Sequence, residues 1–147
     1  MTRRPGAELA ALVRTCEPFA RKARLMRSVK GVGPGTVTTL LAYLPELGAL
    51  SKGEAARLAG LAPINRDSGQ TSGRRRVAPG RRVIRRTLYM AAVSAMQHNP
   101  VLRAFADRLT RRGKTFHVVV TAVMRKLIVI LNAILRTGEP WRGAQTA

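Results

Sequence analysis

Apolar residues recur every three to four positions over most of this 147-residue chain, which is the spacing of an α-helix with one or more buried faces. The predicted helices cover residues 7–28 with a break at Pro18, 36–43, 52–59, 81–97, 100–112 and 115–136. Ser51 and Glu54 have the spacing of a capping box at the start of the third segment. Residues 61–80 lack the periodicity and are predicted to form an irregular loop that has room for a small hairpin. The sequence therefore predicts a single all-α domain.

The last predicted helix is apolar almost all round and is long enough to cross a membrane. Arg125 and Lys126 lie at its centre, where each would cost roughly 2.5–3.5 kcal/mol in lipid. We therefore expect a long buried C-terminal helix or an oligomer interface, and no membrane partner. Residues 138–147 after it are predicted to be a frayed tail.

The turn that joins the first two helical segments is rich in glycine. Its pattern, Leu25-x-x-x-Val29-x-Gly31-Val32-Gly33-x-x-Thr36, resembles the helix-hairpin-helix module of DNA polymerases, ligases and repair enzymes. In such a turn glycines let backbone amides approach a phosphate oxygen, and the second helix directs its positive N-terminus at the same group. Gly31, Gly33 and Gly35 are therefore predicted to contact nucleic-acid phosphate without reading bases. The alternative is a glycine-rich turn between two core helices.

The net charge of the chain indicates that this helical domain has a polyanionic partner. Lys and Arg number 27 against 7 Asp and Glu, a net charge of +20. A small domain with this charge repels itself unless a polyanion neutralises it. Since only five of the 27 cations are lysine, and the planar arginine fork suits phosphate, DNA or RNA is favoured over an anionic membrane.

The densest positive charge lies in the 61–80 loop and at the start of the helix after it, where Asp67 is the one acidic residue. Glycines beside the arginines favour a loop that wraps a phosphate backbone, although a solvated surface run is the alternative. The predicted nucleic-acid-binding arginines are Arg66, Arg74, Arg75, Arg76, Arg81, Arg82, Arg85 and Arg86.

Ser68-Gly69 places a hydroxyl among these arginines. A serine can attack a phosphodiester when nearby cations stabilise the developing charge, so Ser68 is a candidate nucleophile. A plain turn is the alternative interpretation of the same dipeptide.

The acidic residues are scattered singly, which argues against the carboxylate cluster of a two-metal nuclease. Cys16 is the single cysteine and there are two histidines, too few for a disulfide or a zinc site. No metal and no cofactor are expected in this chain. The N-terminus does not have the pattern of an export signal, and a bacterial cytoplasm, next to the nucleoid, is the expected location.

An ordered set of short motifs extends from about Leu25 to Trp141 and resembles one family. The motifs are Val32-Gly33-Pro34-Gly35, Gly60-Leu61-Ala62-Pro63, Ser68-Gly69, Arg85-Arg86-x-Leu88-Tyr89-Met90-Ala91-Ala92, Asn99-Pro100 and Met124-Arg125-Lys126-Leu127. Together they resemble the C-terminal transposase domain of the IS-one-ten family of insertion-sequence transposases, which includes the Piv-type DNA invertases.

The resemblance implies a function in DNA transposition and recombination. Family members join such a helical domain to an N-terminal RuvC-like half whose acidic DEDD site holds Mg²⁺, and a bridge RNA guides them. Their nucleophilic serine lies in the Ser-Gly after Gly-Leu-x-Pro, which corresponds to Ser68 and implies a covalent phosphoserine intermediate. A guide RNA and either a second copy or a RuvC-like partner are therefore expected beside DNA.

Two departures from the family pattern limit these expectations. The acidic half is absent, and Ala78-Pro79-Gly80-Arg81 stands where family members have a basic Lys-Arg-Gly-Asn. The expected protein is thus a truncated or partial transposase that binds DNA without completing recombination alone. Its expected parts are a lead-in at 1–24, the helix-hairpin-helix at 25–44, the serine loop at 61–80, a helical core at 81–137 and the tail at 138–147. A non-catalytic DNA- or RNA-binding protein with the same helices is the alternative.

Overall fold

The computed structural model describes residues 17–58 and 79–143, and within those ranges it contains six helices and no strand. They are α1 (Glu17–Arg27), α2 (Pro34–Tyr43), α3 (Lys52–Leu58), α4 (Pro79–His98), α5 (Pro100–Arg111) and α6 (Phe116–Thr137). The predicted all-α class is confirmed, and helices α2 to α6 begin and end within two residues of the predicted positions. The predicted helical segment before Glu17 and the loop at 61–78 lie outside the described residues.

Prolines and polar caps determine where the helices begin. Pro18, Pro34 and Pro100 lie in the first turns of α1, α2 and α5, where a missing N–H breaks no helical hydrogen bond. Thr115 caps α6 by accepting a hydrogen bond from the Val118 amide at 3.4 Å. The predicted break at Pro18 stays a prediction, because the residues before Glu17 lie outside the described part of the chain.

The predicted capping box is confirmed. The Ser51 amide donates to Glu54 Oε1 at 3.0 Å, and the Glu54 amide donates to Ser51 Oγ at 3.1 Å. The hydrogen bond from the Ser51 amide is the main reason that the pKa of Glu54 is lowered below its ordinary value of 4.5, and the Ser51 hydroxyl and Arg57 act in the same direction. The cap therefore contributes stability above that ordinary value and loses it as the pH falls through the lowered pKa.

Helix α6 is the centre of the fold and packs against α1, α3, α4 and α5. Each fully buried valine, leucine or isoleucine stabilises the fold by roughly 1.5–3 kcal/mol relative to an exposed side chain. The buried residues of α6 are Val119, Val120, Val123, Met124, Leu127, Ile128, Ile130, Leu131, Asn132 and Ile134. The long buried C-terminal helix that the sequence predicts is therefore present.

Helix α6 also has the length and composition of a membrane span, the one such helix within the described ranges. In the fold, however, 56% of the apolar window is buried by other parts of the chain. Arg125 is exposed, and Lys126 Nζ lies 4.7 Å from the centre of the Phe105 ring on α5. Both charges thus lie outside the apolar interior.

Asn132 is a polar residue in the middle of this apolar helix, and only 2% of it is exposed. Its Oδ1 accepts from the amides of Gly48 at 2.6 Å and Leu50 at 3.3 Å, while its Nδ2 donates to the Leu50 carbonyl at 2.6 Å. One side-chain amide therefore satisfies three backbone groups of the segment that leads into α3 and fixes that segment on α6.

Replacing this amide should destabilise the fold. Asn132→Leu is expected to lower the free energy of unfolding by roughly 2–5 kcal/mol, because an apolar side chain of similar size leaves those backbone groups without partners. Chemical denaturation at pH 7 measures the loss.

Asn132→Asp is the matched control, since it keeps the size and the acceptor but loses the donor. Its deficit should shrink at acidic pH, where the protonated carboxyl regains a donor, because burial raises the pKa of that carboxyl. If the loss of stability in Asn132→Asp did not change with pH, or if neither variant lost stability, the hydrogen bonds of Asn132 would contribute nothing measurable and the residue would only fill space.

The frayed tail predicted at 138–147 is wrong for residues 138–143. Gly138 ends α6 with a left-handed φ of 75°, and the chain then turns back onto the fold. Trp141 packs against the core, and its amide donates to Ser28 Oγ at 2.9 Å. Partial burial of the apolar tryptophan ring and the hydrogen bond to Ser28 both oppose the loss of conformational freedom in this segment.

Candidate nucleic-acid interface

The glycine-rich turn at residues 28–33 joins α1 to α2 and lies against the C-terminal part of α4. Gly31 has a φ of +104°, which favours glycine, and a Cβ built there would lie 2.6 Å from Ala95 Cα. The backbone of the turn therefore lies directly on the backbone of α4, and packing requires glycine at position 31 whether or not the turn contacts a phosphate.

Asn99 ties the same turn to the junction of α4 and α5. Its Nδ2 donates to the Lys30 carbonyl at 3.0 Å, and its Oδ1 accepts from the Val101 and Leu102 amides at 3.1 and 3.3 Å. Asn99 is fully buried. Asn-Pro before an apolar segment is a sequence pattern that predicts the helix cap. The hydrogen bond to Lys30 could not be predicted in this way, because 69 residues separate the partners.

Gly33 and Gly35 differ from Gly31. A Cβ at either position would meet nothing within 4 Å, and Gly33 is the N-cap of α2 with an extended backbone and no side-chain cap. The amides of Gly35 and Thr36 lie in the first helical turn, where no intrahelical acceptor exists for them. This end of α2 therefore presents unblocked amides and a positive helix end beside the exposed Lys30.

Helix α4 presents its arginines on one outward face. Arg82, Arg85 and Arg86 are exposed, while Ile84, Leu88, Ala91, Ala92 and Ala95 are buried on the opposite face. The backbone of Arg81 belongs to the first turn of α4, and its side chain lies outside what the structure describes. The arginine positions predicted on this helix thus share a face because their spacing follows the helical repeat.

The arrangement of these arginines is unfavourable for the isolated helix. They lie in its first half, where the helix dipole is positive, and Arg82 and Arg86 form a like-charge pair at i,i+4. No acidic residue occurs in α4. Within the described residues the ion pairs are Arg24–Glu17 at 3.3 Å and Arg142–Glu139 at 4.0 Å, and neither includes an arginine of α4. The placement is explained better by an external anion than by stability of the helix.

The glycine-rich turn and the exposed arginines of α4 lie at different positions along the axis of α4. Nine to thirteen residues separate Ala95, which contacts Gly31, from Arg86 and Arg82, and this is roughly 14–20 Å along the helix axis at 1.5 Å per residue. The turn contacts the buried face of α4 and the arginines lie on its exposed face, so the two features are too far apart to bind the same small anion.

The candidate nucleophile Ser68 and the loop arginines Arg66, Arg74, Arg75 and Arg76 lie outside the described residues. Their predicted roles remain predictions. In sequence, Arg76 precedes the first residue of α4 by three positions.

The acidic site that the resemblance implies has no counterpart in the described residues. No three side chains among His, Cys, Asp and Glu come together there as metal ligands. The donors present do not fit a Mg²⁺ ion of the kind that DEDD sites hold.

Comparisons with known proteins match this chain to a transposase family, to a gene-inverting protein and to proteins of insertion elements. The family described as Transposase IS116/IS110/IS902 matches residues 23–107, which include the hairpin turn and the arginine face of α4. A pilin gene-inverting protein of Moraxella bovis is 29% identical over 131 residues, and the 43.6 kDa protein of insertion element IS110 from Streptomyces coelicolor is 31% identical over 116 residues. A 42 kDa protein of insertion element IS900 from Mycobacterium paratuberculosis is 35% identical over 92 residues.

These matches cover 86%, 78% and 62% of this chain, but only 41%, 29% and 23% of the three relatives. The chain therefore spans less than half the length of the curated relatives that it matches.

Proposed function

Because this chain belongs to the IS116/IS110/IS902 transposase family, we propose that it is the part of an insertion-sequence recombinase that holds DNA phosphates and supplies the serine nucleophile Ser68 for strand exchange. The observation that carries the proposal is the outward arginine face of α4, whose described side chains Arg82, Arg85 and Arg86 form no ion pair with any acidic residue that the structure describes. In sequence, α4 begins eleven residues after Ser68. A relative named for inverting a pilin gene supports recombination as the reaction class.

The proposed reaction has two transfers at phosphorus. The Ser68 hydroxyl attacks a DNA phosphate, and a phosphoserine ester forms while the bond from phosphorus to a sugar oxygen breaks. That oxygen leaves as a free hydroxyl after taking up a proton. The hydroxyl of an exchanged strand then attacks the phosphoserine, and the serine oxygen leaves with a proton. Arginines beside the phosphate stabilise the negative charge that grows in each step.

The glycine-rich turn is the second phosphate-binding feature in the proposal. The unblocked amides at the start of α2 and the side chain of Lys30 bind one phosphate without reading bases, in the manner of a helix-hairpin-helix module. The arginine face of α4 binds phosphates roughly 14–20 Å away along the helix. Two anchor points of this kind fix the register of the duplex relative to the Ser68 loop.

The remaining parts of the reaction belong to partners in this proposal. Mg²⁺ chemistry comes from a RuvC-like half, since the described donors do not fit the ion. A guide RNA supplies sequence specificity, and a second copy or a RuvC-like partner completes the assembly. The reaction takes place in the bacterial cytoplasm, at the nucleoid. A plain DNA- or RNA-binding protein is the alternative outcome.

Neutralising the arginine face tests the DNA-binding half of the proposal. In the triple variant Arg82→Gln, Arg85→Gln and Arg86→Gln, the slope of log affinity against log salt should flatten by about 2–3, because each phosphate contact contributes about 0.9 for B-form DNA. Fluorescence anisotropy on a labelled duplex between 50 and 200 mM salt gives the slope.

The control removes the same number of charges elsewhere, with Lys52→Gln, Arg136→Gln and Arg142→Gln, all at exposed positions. A local interface predicts that this variant keeps a slope close to that of the wild type. Equal slopes in the two triple variants would mean that the total charge, and no particular face, binds DNA.

A further inference from the structure

The outward face of α4 does not end at its arginines. Tyr89 and Met90 continue the same stripe toward the C-terminus of the helix, three to eight residues beyond the arginines, with 41% and 63% of their surface exposed. Tyr89 makes no hydrogen bond to the part of the chain that the structure describes. A large aromatic ring and a thioether are therefore held in solvent by a rigid helix, one turn beyond Arg86.

We propose that this stripe binds an unpaired segment of nucleic acid, with Arg82 and Arg86 on its phosphates and an extruded base stacked on the Tyr89 ring. The inference rests on the proposed function and adds the state of the ligand, which is single-stranded or locally opened and not an intact duplex.

The exposed Tyr89 ring favours a nucleobase as the group that binds at this part of the stripe. Every base has a flat π-face, and single-stranded nucleic acids are typically held by a basic track combined with exposed aromatic rings. Arg86 and Tyr89 are separated by three residues, or roughly 4.5 Å along the axis, so a side chain can hold a phosphate while the ring meets the adjoining base. Met90 beside the ring is a flexible apolar side chain of the type that inserts between base steps.

Charge argues against a second copy of this chain on the same face. Arg82, Arg85 and Arg86 have no acidic neighbour on α4. Two copies that met through this stripe would bring arginines against arginines, which costs affinity. A polyanion with exposed bases is complementary to both ends of the stripe.

Binding of four fluorescein-labelled oligonucleotides of one sequence tests the proposal: single-stranded DNA, single-stranded RNA, a DNA duplex and a duplex with two central unpaired bases. The wild type is expected to bind the unpaired ligands more tightly than the intact duplex. Tyr89→Ala should weaken binding to the unpaired ligands by roughly 5- to 150-fold, the range for loss of one base stack, and leave the duplex affinity within about twofold. The DNA and RNA arms show which strand type the face prefers.

Two further variants separate stacking from a structural effect. Tyr89→Phe keeps the ring and should retain the preference for unpaired ligands. Tyr43→Ala removes a tyrosine of similar exposure, 49%, from α2, which contains no cation, and should change nothing. A 2-aminopurine base in the single strand should change its fluorescence with wild type and Tyr89→Phe but not with Tyr89→Ala.

The possible failures are distinguishable. Equal weakening of duplex and single strand by Tyr89→Ala, or no weakening of either, overturns the inference and leaves the proposed function intact. Salt-independent binding of every oligonucleotide contradicts the proposed function as well. A wild-type dimer that Tyr89→Ala converts to a monomer in sedimentation would assign the face to self-association and also overturn the inference.

Discussion

Ser68→Ala is expected to eliminate the covalent protein–DNA adduct entirely, because the hydroxyl that would form the phosphoserine ester is removed. The experiment uses the chain assembled with a RuvC-like half and guide RNA from a full-length relative. A duplex with a nick next to the exchange site releases a short fragment after attack, so the adduct persists. Denaturing electrophoresis of labelled DNA then shows a band shifted by the mass of the chain.

The same loop offers a matched control. Ser72 is followed by Gly73, as Ser68 is followed by Gly69, so Ser72→Ala changes an equivalent dipeptide four residues away. Ser72→Ala should retain the adduct, and both variants should bind DNA like the wild type. An adduct that survives Ser68→Ala removes this residue from the mechanism. Binding without an adduct in every protein, the wild type included, favours the plain nucleic-acid-binding alternative.

Gly31→Ala is expected to cause the largest loss of stability, roughly 3–5 kcal/mol of the free energy of unfolding. A left-handed residue other than glycine costs about 1–3 kcal/mol, and forcing an atom against a helix backbone adds a similar amount. The new Cβ would lie 2.6 Å from Ala95 Cα and 2.8 Å from Ala95 N. Neither atom belongs to a flexible side chain, so relief requires movement of α4 or of the turn. Urea denaturation followed by circular dichroism measures the change.

Gly35→Ala is the contrasting substitution. Position 35 lies inside α2, and its Cβ would meet nothing within 4 Å. The same change of side chain should therefore be neutral or stabilise the fold by up to about 1 kcal/mol, through helix propensity. Similar losses in the two variants would show that the turn at Gly31 is not packed against α4 as the structure has it.

The sequence predicted the helices well because local signals define them. Helical spacing of apolar residues, the capping box at Ser51 and Glu54, and the Asn99-Pro100 boundary each act within a few residues. The exposed positions of Arg82, Arg85 and Arg86 in the structure agree with the same helical spacing. These features needed no knowledge of the tertiary structure.

The contacts that hold the helices together were not predictable in this way. Asn132 bonds to a segment more than 80 residues earlier, and Gly31 contacts Ala95 across 64 residues. A pattern of single residues carries no information on such partners. The glycine turn is an example: its composition suggested a phosphate contact for Gly31, which stays a prediction, and the structure shows a packing requirement for glycine at that position.

The position of Trp141 gives the protein a fluorescent reporter of its own. It is the single tryptophan of the chain, and its amide bonds to Ser28 Oγ, whose hydroxyl donates to the Leu25 carbonyl at 2.6 Å at the end of α1. The indole emission therefore originates beside the turn that leads to the α2 N-terminus. Without any label, an emission shift in the native protein would follow ligand binding at the turn, and the larger shift on denaturation would follow release of the segment after α6.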